Sequence, residues 1–551
     1  MKTRARYGIA ALISICSSVG AAETALLRAK GIHVNGSFLT TAESRDSEKV
    51  RAVRYVLPEG EKYIEKEDTI WALPLDAAIW YQSLRWGDWD ENPTWHAFYE
   101  APFSTGHVAD LQPGAKMSLP ITARMSDGTY VLMTEANVVD FTDSAVEYAG
   151  EGRFVPAYYA EKGGAFKTTA RTTPWRVLVK AADLNALGTT DVLRRLCPSP
   201  SAEVAARCRK FVRPGKCVWQ WLPDGDPKYN EQKKWYDQTK ALGFPYYLVD
   251  DGWKVWRDGD KDQWDCLKRW IDYGKSIGVE SFIWVDSKEM LTAEARRGYL
   301  DKVVAVGAVG IKIDFIPDPS REIMAWYEDT LADTLDCGLM TDFHGCVKPS
   351  GREKTWPHEI AREAIRGHEW QITRFKRTLP PEHDCILPFH RLVQGHVDNT
   401  PVVFEKKEIG PYSWPRQLAQ GIVFSAPFLC FGDYPQNYLN NPMVEIIRAM
   451  EPVYDETRYL PGSEIGVCVV VAKRKGDTWF LAIENGAKER TLKLSLSFLK
   501  AEMKMLAFHD DPHRNDAAVR EERLVNPGDE IEVKMRPAGG FVAMFLRSTG
   551  K

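Results

Sequence analysis

From Phe211 to about Asp455, short apolar runs alternate with longer amphipathic segments, and this alternation restricts the possible folds more than any other feature of the sequence. The first five runs read as strands: KCVWQWL (216–222), YYLVDDGW (246–253), SFIWVD (281–286), GIKIDF (310–315) and LMTDFHG (339–345). Helical patterns follow the first four runs, over 229–242, 263–276, 293–304 and 320–336. Strands separated by helices form parallel β/α units, so the sequence predicts a (β/α)8 TIM barrel over residues 211–455.

The last three strands of the predicted barrel are less distinct. The candidates are AIRGHEW (364–370), HVDNTPV (396–402) and APFLCFG (426–432). On both sides of the barrel, short alternating segments with turn residues between them replace the helical pattern. We therefore expect a multidomain protein, in which an N-terminal β-sandwich (23–210) and a small C-terminal all-β sandwich domain (456–551) flank the barrel.

The N-terminus has the residue order of an export signal. Lys2, Arg4 and Arg6 precede an apolar run over 7–16, and small residues follow up to Ala22. A basic start, a short apolar middle and a small-residue end are typical of a secretory signal peptide, here residues 1–22. The apolar run is too short to span a bilayer. We expect a protein exported to the periplasm or the extracellular space, without stable membrane insertion.

Charge and cysteine content exclude several other classes of protein. A net charge of −4 gives no sign of a nucleic-acid partner. Nine of the ten cysteines lie beyond the signal peptide, without the spacing of a zinc site. In an exported protein, Cys197 and Cys208 are candidates for a disulfide around a short loop. The sequence does not indicate an oligomeric state.

Acidic residues stand at the carboxyl ends of the predicted strands. They are Asp250 and Asp251, Asp286, Asp314 and Asp342, and His344 follows the last of them. Active sites of TIM barrels lie at this end of the strands, whereas a single aspartate there is as often a helix cap. Carboxylates gathered at one mouth repel one another unless a ligand, a metal or a positive charge compensates them. The pattern fits a site for sugar hydroxyls or for a metal, and glycoside hydrolysis needs two carboxyl groups with separate tasks.

The chain resembles glycoside hydrolase family 97 over the barrel and the C-terminal domain. The resemblance is carried by FVRPGKCVWQW (211–221), LVDDGW (248–253), GIKIDF, TDFHGCVKPSG (341–351), TWPHEIAREAIRGHEW (355–370) and PPEHDCILPFHRL (380–392). The N-terminal domain fits from about Val50, through RAVRYVLP (51–58) and WHAFYEAPF (95–103), although family members usually carry more sequence before that point. The resemblance implies a calcium-dependent exo-acting α-glycosidase.

The same resemblance implies the catalytic residues. Retaining members of the family place the nucleophile at the aspartate of the fourth strand, here Asp314. Inverting members carry a glutamate after the fifth-strand histidine, where this chain has Gly345. The glutamate that closes the GHEW motif, Glu369, is then the acid and base. A retaining enzyme needs the two carboxyl groups about 5–5.5 Å apart.

For the calcium ion, the motifs indicate Glu363 and Glu369 from the barrel and Glu100 from the N-terminal domain, with Glu135 as second choice. Calcium prefers such oxygen ligands. The substrate is predicted to be an oligosaccharide or another glycoside. Residues expected to bind it are Asp250, Asp251, Trp253, Asp286, Lys312, His344, His383 and His390, and Trp284 is a further candidate for stacking on a sugar ring.

Several activities remain open at this level. The nucleophile pattern resembles the α-galactosidase branch, but α-glucosidase and β-L-arabinopyranosidase activities use the same catalytic pair. A non-catalytic carbohydrate-binding protein on the same scaffold is the alternative of a different class. The residues that would distinguish the terminal sugar cannot be identified from the sequence pattern.

Overall fold

The structure is a computed structural model that describes residues 24–84, 99–159, 165–371 and 376–547. The predicted export signal lies outside these ranges. The chain forms two compact units. The first contains Met1–Ser199, Pro317–Asp329 and Ser350–Thr355, and the second contains Pro200–Ile316, Thr330–Pro349 and Trp356–Lys551.

The first unit is built from antiparallel sheets, as predicted for the N-terminal region. Its strands are β1 (Leu26–Arg28), β2 (Ile32–Val34), β3 (Ser37–Leu39), β4 (Ala42–Asp46), β5 (Val50–Tyr55), β6 (Lys62–Glu67), β7 (Ile70–Ala72), β8 (Ala78–Tyr81), β9 (Ser83–Leu84), β10 (Ser104–His107), β11 (Lys116–Ser118), β12 (Ile121–Arg124), β13 (Tyr130–Ala136), β14 (Ser144–Gly150), β15 (Arg153–Tyr158), β16 (Phe166–Thr168) and β17 (Trp175–Ala181). The sheet orders are β1-β7-β15-β14-β11-β9, β10-β8-β12-β13-β17-β5-β4 and β16-β6-β2-β3. Inward-facing side chains such as Trp71, Met133 and Phe154 form a shared core. Two short helices follow, α1 (Leu184–Gly188) and α2 (Val192–Leu196).

The second unit contains the predicted barrel. Its sheet consists of seven parallel strands in the order β24-β18-β19-β20-β21-β22-β23. The strands are β18 (Gly215–Trp219), β19 (Tyr246–Val249), β20 (Glu280–Asp286), β21 (Gly310–Asp314), β22 (Met340–Phe343), β23 (Glu359–Arg362) and β24 (Phe428–Phe431). The helices along residues 200–455 are α3 (Ala202–Phe211), α4 (Trp221–Asp224), α5 (Gln232–Leu242), α6 (Gln263–Ile277), α7 (Ala293–Val306), α8 (Arg321–Cys337), α9 (Pro381–Ile386), α10 (Trp414–Val423), α11 (Pro435–Leu439) and α12 (Val444–Ala449). The part of α8 up to Asp329 belongs to the first unit. The first five strands and the helices between them lie where the sequence predicts them.

The sixth and seventh barrel positions differ from the prediction. The sixth strand is β23, which precedes the AIRGHEW segment, and residues His368–Trp370 form a 3-10 helix instead. Residues 396–402 lie along the chain where a seventh strand is expected, but they are not assigned as a strand. Thr400 and Val402 have φ angles of 45° and 67°, and such left-handed residues interrupt an extended ladder. The parallel sheet is therefore nearly closed, with an irregular segment between β23 and β24.

The C-terminal region is all β, as predicted. Its strands are β25 (Glu456–Tyr459), β26 (Cys468–Lys475), β27 (Thr478–Asn485), β28 (Arg490–Ser495), β29 (Met503–Asp510), β30 (Ala518–Val525), β31 (Glu530–Met535) and β32 (Gly540–Arg547). The sheet orders are β25-β26-β27-β32-β29-β30 and β28-β31. Helix α10 joins this region to the barrel: Arg416 is buried, donates to the backbone oxygen of Pro381 at 3.0 Å and pairs with Asp384 at 3.0 Å and Glu484 at 3.5 Å.

The predicted disulfide between Cys197 and Cys208 is wrong. All nine cysteines within the described ranges carry free thiols. Within the first unit, Cys197 Sγ donates to the backbone oxygen of Ser350 at 3.3 Å. Within the second, Cys208 Sγ lies 3.7 Å from Nδ1 of His358. Burial raises the pKa of both thiols. In the described part of the chain, no helix combines the length and the apolar character that crossing a bilayer requires.

Lys473 on β26 is a buried amine at the joint between α10 and the C-terminal sheet. Its Nζ donates to the Val423 oxygen at 3.1 Å and to Ser425 Oγ at 2.8 Å. Burial lowers the pKa of Lys473 from 10.5 to about 7. Between these two values the unfolded chain binds more protons than the folded chain at this site, so Lys473 lowers stability progressively as the pH falls from 10.5 to 7.

We predict that Lys473→Met removes this pH dependence. The free energy of unfolding of the wild type, relative to that of the variant, should rise as the pH increases from 7 to 9, by up to about 1.4 kcal/mol per pH unit. Urea denaturation at pH 7, 8 and 9 measures this difference. Lys475→Met on the same strand is the matched control, because Lys475 is partly exposed and pairs with Asp455 at 3.3 Å. Parallel curves for wild type and Lys473→Met would contradict the prediction.

Candidate active site

The carboxyl ends of the barrel strands bring several predicted residues together. Asp286 ends β20 and Asp314 ends β21, and the two are direct partners in the strand register. His344 follows β22, and its backbone N–H donates to the Ile313 oxygen at 2.8 Å. Glu363 follows β23, and its N–H donates to the Phe343 oxygen at 2.8 Å. Parallel register therefore places these side chains at one end of the barrel, where TIM-barrel active sites lie.

Asp314 is buried and held as an anion. Its Oδ2 accepts a hydrogen bond from the Trp284 indole at 2.9 Å, and its Oδ1 accepts one from the Phe315 backbone N–H at 2.6 Å. Nδ1 of His344 lies 3.4 Å from Oδ1. Burial acts to raise the pKa of Asp314, but the charge and hydrogen bond of His344, together with Lys312 and Trp284, outweigh it and lower the pKa to about 2. In this ionised form a carboxylate is able to act as a nucleophile.

His344 lies between Asp314 and a second group of carboxylates. Its Nε2 is 3.1 Å from Glu363, 3.5 Å from Glu369 and 3.9 Å from Asp398. Burial acts to lower the pKa of His344, but Glu363 above all, and then Asp314 and Glu369, raise it well above its ordinary value. A positively charged imidazole in this position compensates the acids on both sides and fixes their orientation.

Glu369 belongs to the 3-10 helix His368–Trp370, which is held by the irregular segment 396–402. The Glu369 N–H donates to Thr400 Oγ1 at 3.2 Å, and the His368 N–H donates to the Asn399 oxygen at 2.9 Å. Burial raises the pKa of Glu369, and this effect exceeds the opposing effect of His344 and Lys312. Asp314 and Glu369 thus have pKa values shifted in opposite directions, which is how two neighbouring carboxyl groups acquire separate roles.

Lys312 and Asp398 form a buried ion pair beneath these groups. Their charged atoms lie 3.5 Å apart, and the Lys312 ammonium also lies 4.5 Å from the centre of the Trp219 ring. Burial opposes the charge, but Asp398 and then Asp250 keep the pKa of Lys312 well above its ordinary value. Asp342, the register partner of Lys312, is fully buried, and burial together with Asp398 raises its pKa.

Asp398 was missed by the sequence analysis. Asp398 lies in HVDNTPV (396–402), a segment that the sequence analysis considered only as a candidate strand. The available signal was an acidic residue inside an otherwise strand-like segment. Such a residue gives no indication of which distant cation it meets, so only the fold identifies Lys312 as its partner.

The other predicted acidic residues differ in their surroundings. Asp250 is buried and accepts hydrogen bonds from the Trp219 indole and from the Asp251 N–H, and burial raises its pKa to about 6. Asp251 is exposed and accepts the Gly252 N–H at 2.8 Å. Asp286 caps the 3-10 helix Ser287–Glu289, accepting the Lys288 N–H at 3.0 Å. Asp250 therefore lies with the buried cluster around Lys312, whereas Asp251 and Asp286 have local turn and cap interactions.

Three further predicted substrate-binding residues are buried in packed surroundings. Trp253 is 0% exposed, packs edge-on against Trp264 at 4.8 Å between ring centroids and donates to the Trp284 oxygen at 3.2 Å. It therefore presents no open ring face for a sugar. His383 lies on α9, with its Nε2 2.9 Å from the Arg366 oxygen, and burial lowers its pKa. His390 is also fully buried. Substrate contacts by these histidines remain predictions.

The surroundings of position 345 leave no room for a side chain, so glycine fits there without displacing its neighbours. Its φ is +48°, and a Cβ at this position would lie 2.8 Å from Asp314 Oδ1 and 3.0 Å from the Phe315 nitrogen. The Gly345 N–H donates to Glu363 Oε2 at 2.8 Å, and its carbonyl accepts the Ile316 N–H at 3.0 Å. Asp314 therefore occupies the space that a side chain at position 345 would need.

The barrel residues fit a cation site. Three residues, His344, Glu363 and Glu369, each offer one ligand atom, and these three atoms lie within 4.8 Å of one another. Oε2 of Glu369 is buried and accepts no hydrogen bond from the residues that the structure describes. The carboxylates of Glu363 and Glu369 converge, and the buried Oε2 of Glu369 is available as a ligand, which suits a hard cation such as calcium. An imidazole nitrogen is a poor calcium ligand. Glu363 and Glu369 are accordingly the candidate ligands, and His344 remains their charged neighbour.

The two predicted ligands of the first unit are in different surroundings. Glu100 is half-buried in a turn next to Tyr99. Glu135 is fully buried, pairs with Arg176 and accepts a hydrogen bond from Ser144 Oγ. Arg176 also holds Glu67, at 2.7 Å. Glu135 therefore takes part in a structural ion-pair cluster, and metal binding by Glu100 or Glu135 stays a prediction.

Comparisons with known proteins agree with this architecture. Three family models match the chain: glycosyl-hydrolase 97 N-terminal over residues 47–198, glycoside hydrolase 97 over 215–365, and glycosyl-hydrolase 97 C-terminal, oligomerisation, over 453–546. A protein of Streptomyces bingchenggensis named probable retaining alpha-galactosidase is 29% identical, covering 90% of this chain and 75% of its own length. The retaining alpha-galactosidase of Bacteroides thetaiotaomicron is 26% identical, covering 82% and 75%.

Solved structures share the fold. A beta-arabinopyranosidase superimposes with a TM-score of 0.79 at 24% identity, covering 95% of this chain and 91% of its own. A family 97 enzyme from Pseudoalteromonas sp. strain K8, in complex with acarbose, superimposes with a TM-score of 0.77 at 19% identity and the same coverage. All three regions of the chain thus match one family in sequence and in fold. The chain belongs to glycoside hydrolase family 97 and is a glycoside hydrolase.

Proposed function

We propose that the protein is a calcium-dependent, retaining exo-α-galactosidase in which Asp314 is the nucleophile and Glu369 is the acid and base. The observation that carries this proposal is the position of His344, whose Nδ1 faces Asp314 and whose Nε2 faces Glu363 and Glu369. One buried imidazole thereby holds an ionised carboxylate on one side and a carboxyl group of raised pKa on the other. The names of the two relatives support α-galactosides as the substrate class.

The reaction would proceed by double displacement. Asp314 attacks the anomeric carbon while Glu369 protonates the departing oxygen, which forms a glycosyl ester and releases the alcohol. Glu369, now ionised, takes a proton from water as the water attacks the ester, so the sugar leaves with its configuration retained. Trp284 and the Phe315 N–H hold the Asp314 oxygens in position during the attack. The positive charges of His344 and Lys312 favour the ionised form of Asp314.

The buried groups next to Asp314 suit the terminal sugar. Lys312, Asp250 and Asp398 form a polar, charged floor with low exposure. Sugar hydroxyl groups both donate and accept hydrogen bonds, so such a floor can bind them without leaving buried polar atoms unpaired. An exo-acting enzyme binds a chain end, and these buried groups would bind its terminal sugar.

Calcium fits the two barrel glutamates, as argued above. Glu363 and Glu369 would hold the ion, and its positive charge would help to orient Glu369 as the acid and base residue. Glu363 already accepts the Gly345 N–H, so it connects the proposed ligand pair to the loop beside Asp314. The order of residues 1–22 supports export to the periplasm or the extracellular space as a further proposal.

We predict that Asp314→Ala and Glu369→Gln each reduce turnover of p-nitrophenyl α-galactoside by about 1,000-fold or more, because each removes a group that reacts in the transition state.

Proton NMR of the wild-type reaction should detect the α-anomer of galactose first. Azide added to Asp314→Ala should restore turnover and give the β-galactosyl azide, since the small anion attacks from the side of the missing nucleophile. Initial release of the β-anomer by the wild type would refute Asp314 as nucleophile. The same assays with α-glucoside and β-L-arabinopyranoside test the other activities.

We predict that Gly345→Ala lowers kcat by about 100-fold, because the new Cβ displaces the Asp314 carboxylate from its attack position. The matched control is Gly476→Ala, whose glycine has a similar φ of +55° and, among the described residues, no atom within 4 Å of the added Cβ. Both substitutions carry the cost of a left-handed alanine, about 1–2 kcal/mol of stability. Equal activity of the two variants would show that space beside Asp314 is not limiting.

We predict that chelation inactivates the enzyme and that calcium restores it. Titration calorimetry on the chelated protein should detect a calcium site that Glu363→Gln weakens by about tenfold or more, because one carboxylate charge is lost. Glu280→Gln, at the opposite end of β20, is the control and should leave the affinity unchanged. Undiminished affinity in Glu363→Gln would remove this residue from the site.

A further inference from the structure

Phe315, the residue after Asp314, exposes a large aromatic ring at the mouth of the barrel. Its exposed fraction is 56%, whereas its neighbour Asp314 is 8% exposed. Burial in the core therefore does not account for an aromatic residue at this position. Ligand sites are commonly lined by aromatic side chains next to a few polar groups, so an exposed ring beside the Asp314 carboxylate favours a ligand contact.

The backbone of Phe315 is also unusual. Its φ is +54°, a left-handed conformation that glycine and asparagine adopt more readily than a bulky residue. The conformation is fixed on both sides, because the Phe315 N–H donates to Asp314 Oδ1 at 2.6 Å and its carbonyl accepts from Ser287 Oγ at 2.7 Å. These hydrogen bonds fix the backbone from which the ring projects, and the first of them also holds the Asp314 carboxylate.

The ring stands edge-on against Trp284, with centroids 6.0 Å apart and an interplanar angle of 81°. The Trp284 indole is held by Asp314, and the Lys254 ammonium lies 5.1 Å from the centre of the Trp284 ring. These contacts support one edge of the Phe315 ring, while more than half of the residue remains open to solvent.

We propose that Phe315 forms part of the leaving-group subsite, where its ring packs against the apolar face of the sugar that departs. This proposal rests on the proposed function, in which Asp314 is the nucleophile. The terminal sugar of an exo-acting enzyme would occupy the buried, charged floor around Lys312 and Asp398. The leaving sugar extends toward solvent, so an aromatic ring half open to solvent suits it, because C–H faces of sugars bury apolar surface on such rings.

The test compares two substrates that share the terminal sugar and differ in the leaving group: methyl α-galactoside and the α-1,6-linked disaccharide melibiose. Phe315→Asn removes the ring with a residue that tolerates the left-handed backbone. We expect kcat/KM for melibiose to fall by about tenfold more than kcat/KM for the methyl glycoside. Phe315→Tyr keeps the ring and should retain the wild-type ratio of the two values. An equal loss on both substrates would assign Phe315 to positioning Asp314 and overturn the subsite, and so would no loss on melibiose.

A binding measurement separates failure of this subsite from failure of the proposed function. In the Asp314→Asn background, calorimetry gives the affinities for melibiose and for galactose without turnover. The preference for melibiose over galactose should shrink by about tenfold when Phe315→Asn is added. An unchanged preference overturns the subsite alone, whereas a wild-type enzyme that hydrolyses no α-galactoside overturns the proposed function. If neither sugar binds, both proposals fall.

Discussion

The buried ion pair between Lys312 and Asp398 is the interaction on which the site depends. It joins β21, the strand that carries Asp314, to the segment 396–402, which lacks the regular hydrogen bonds of a strand. The same segment holds the Glu369 helix through Thr400 and Asn399. Breaking a buried ion pair by removing one partner typically costs about 3–5 kcal/mol, because the other charge is left uncompensated. The position of the acid and base residue is thus tied to the strand of the nucleophile.

Closing the barrel with an irregular segment has a chemical consequence. A regular strand would use its backbone groups in pairing with both neighbours, whereas this segment makes a backbone bond to His368 and a side-chain bond to Glu369. It also adds a carboxylate next to Lys312 and His344. The break in the sheet therefore supplies polar groups to the mouth of the barrel, in keeping with the tendency of functional sites to depart from regular structure.

The loops after β21 and β22 show how closely the groups around Asp314 are packed. Gly345 leaves room for the Asp314 carboxylate, and Phe315 adopts a left-handed backbone whose N–H binds that carboxylate. His344 then compensates the charge from the other loop. A glycine, a left-handed phenylalanine and a buried charged histidine thus surround Oδ1 of Asp314. Together they keep this buried carboxylate ionised and fixed.

The sequence alone determined the order of strands and helices through the fifth barrel strand, because hydrophobic periodicity is a local property of the chain. It also placed Asp314 and His344 at strand ends, since parallel strands bring their carboxyl ends to one edge. The tertiary structure decided the rest. It pairs Asp398 with Lys312, buries Trp253 in the core and makes Asp286 the cap of a 3-10 helix. It also leaves Cys197 and Cys208 as free thiols. Each of these depends on contacts between residues far apart in the chain or on whether a side chain finds a nearer partner. Local pattern carries no information about either, so the role of a polar residue is settled only when folding gives it neighbours.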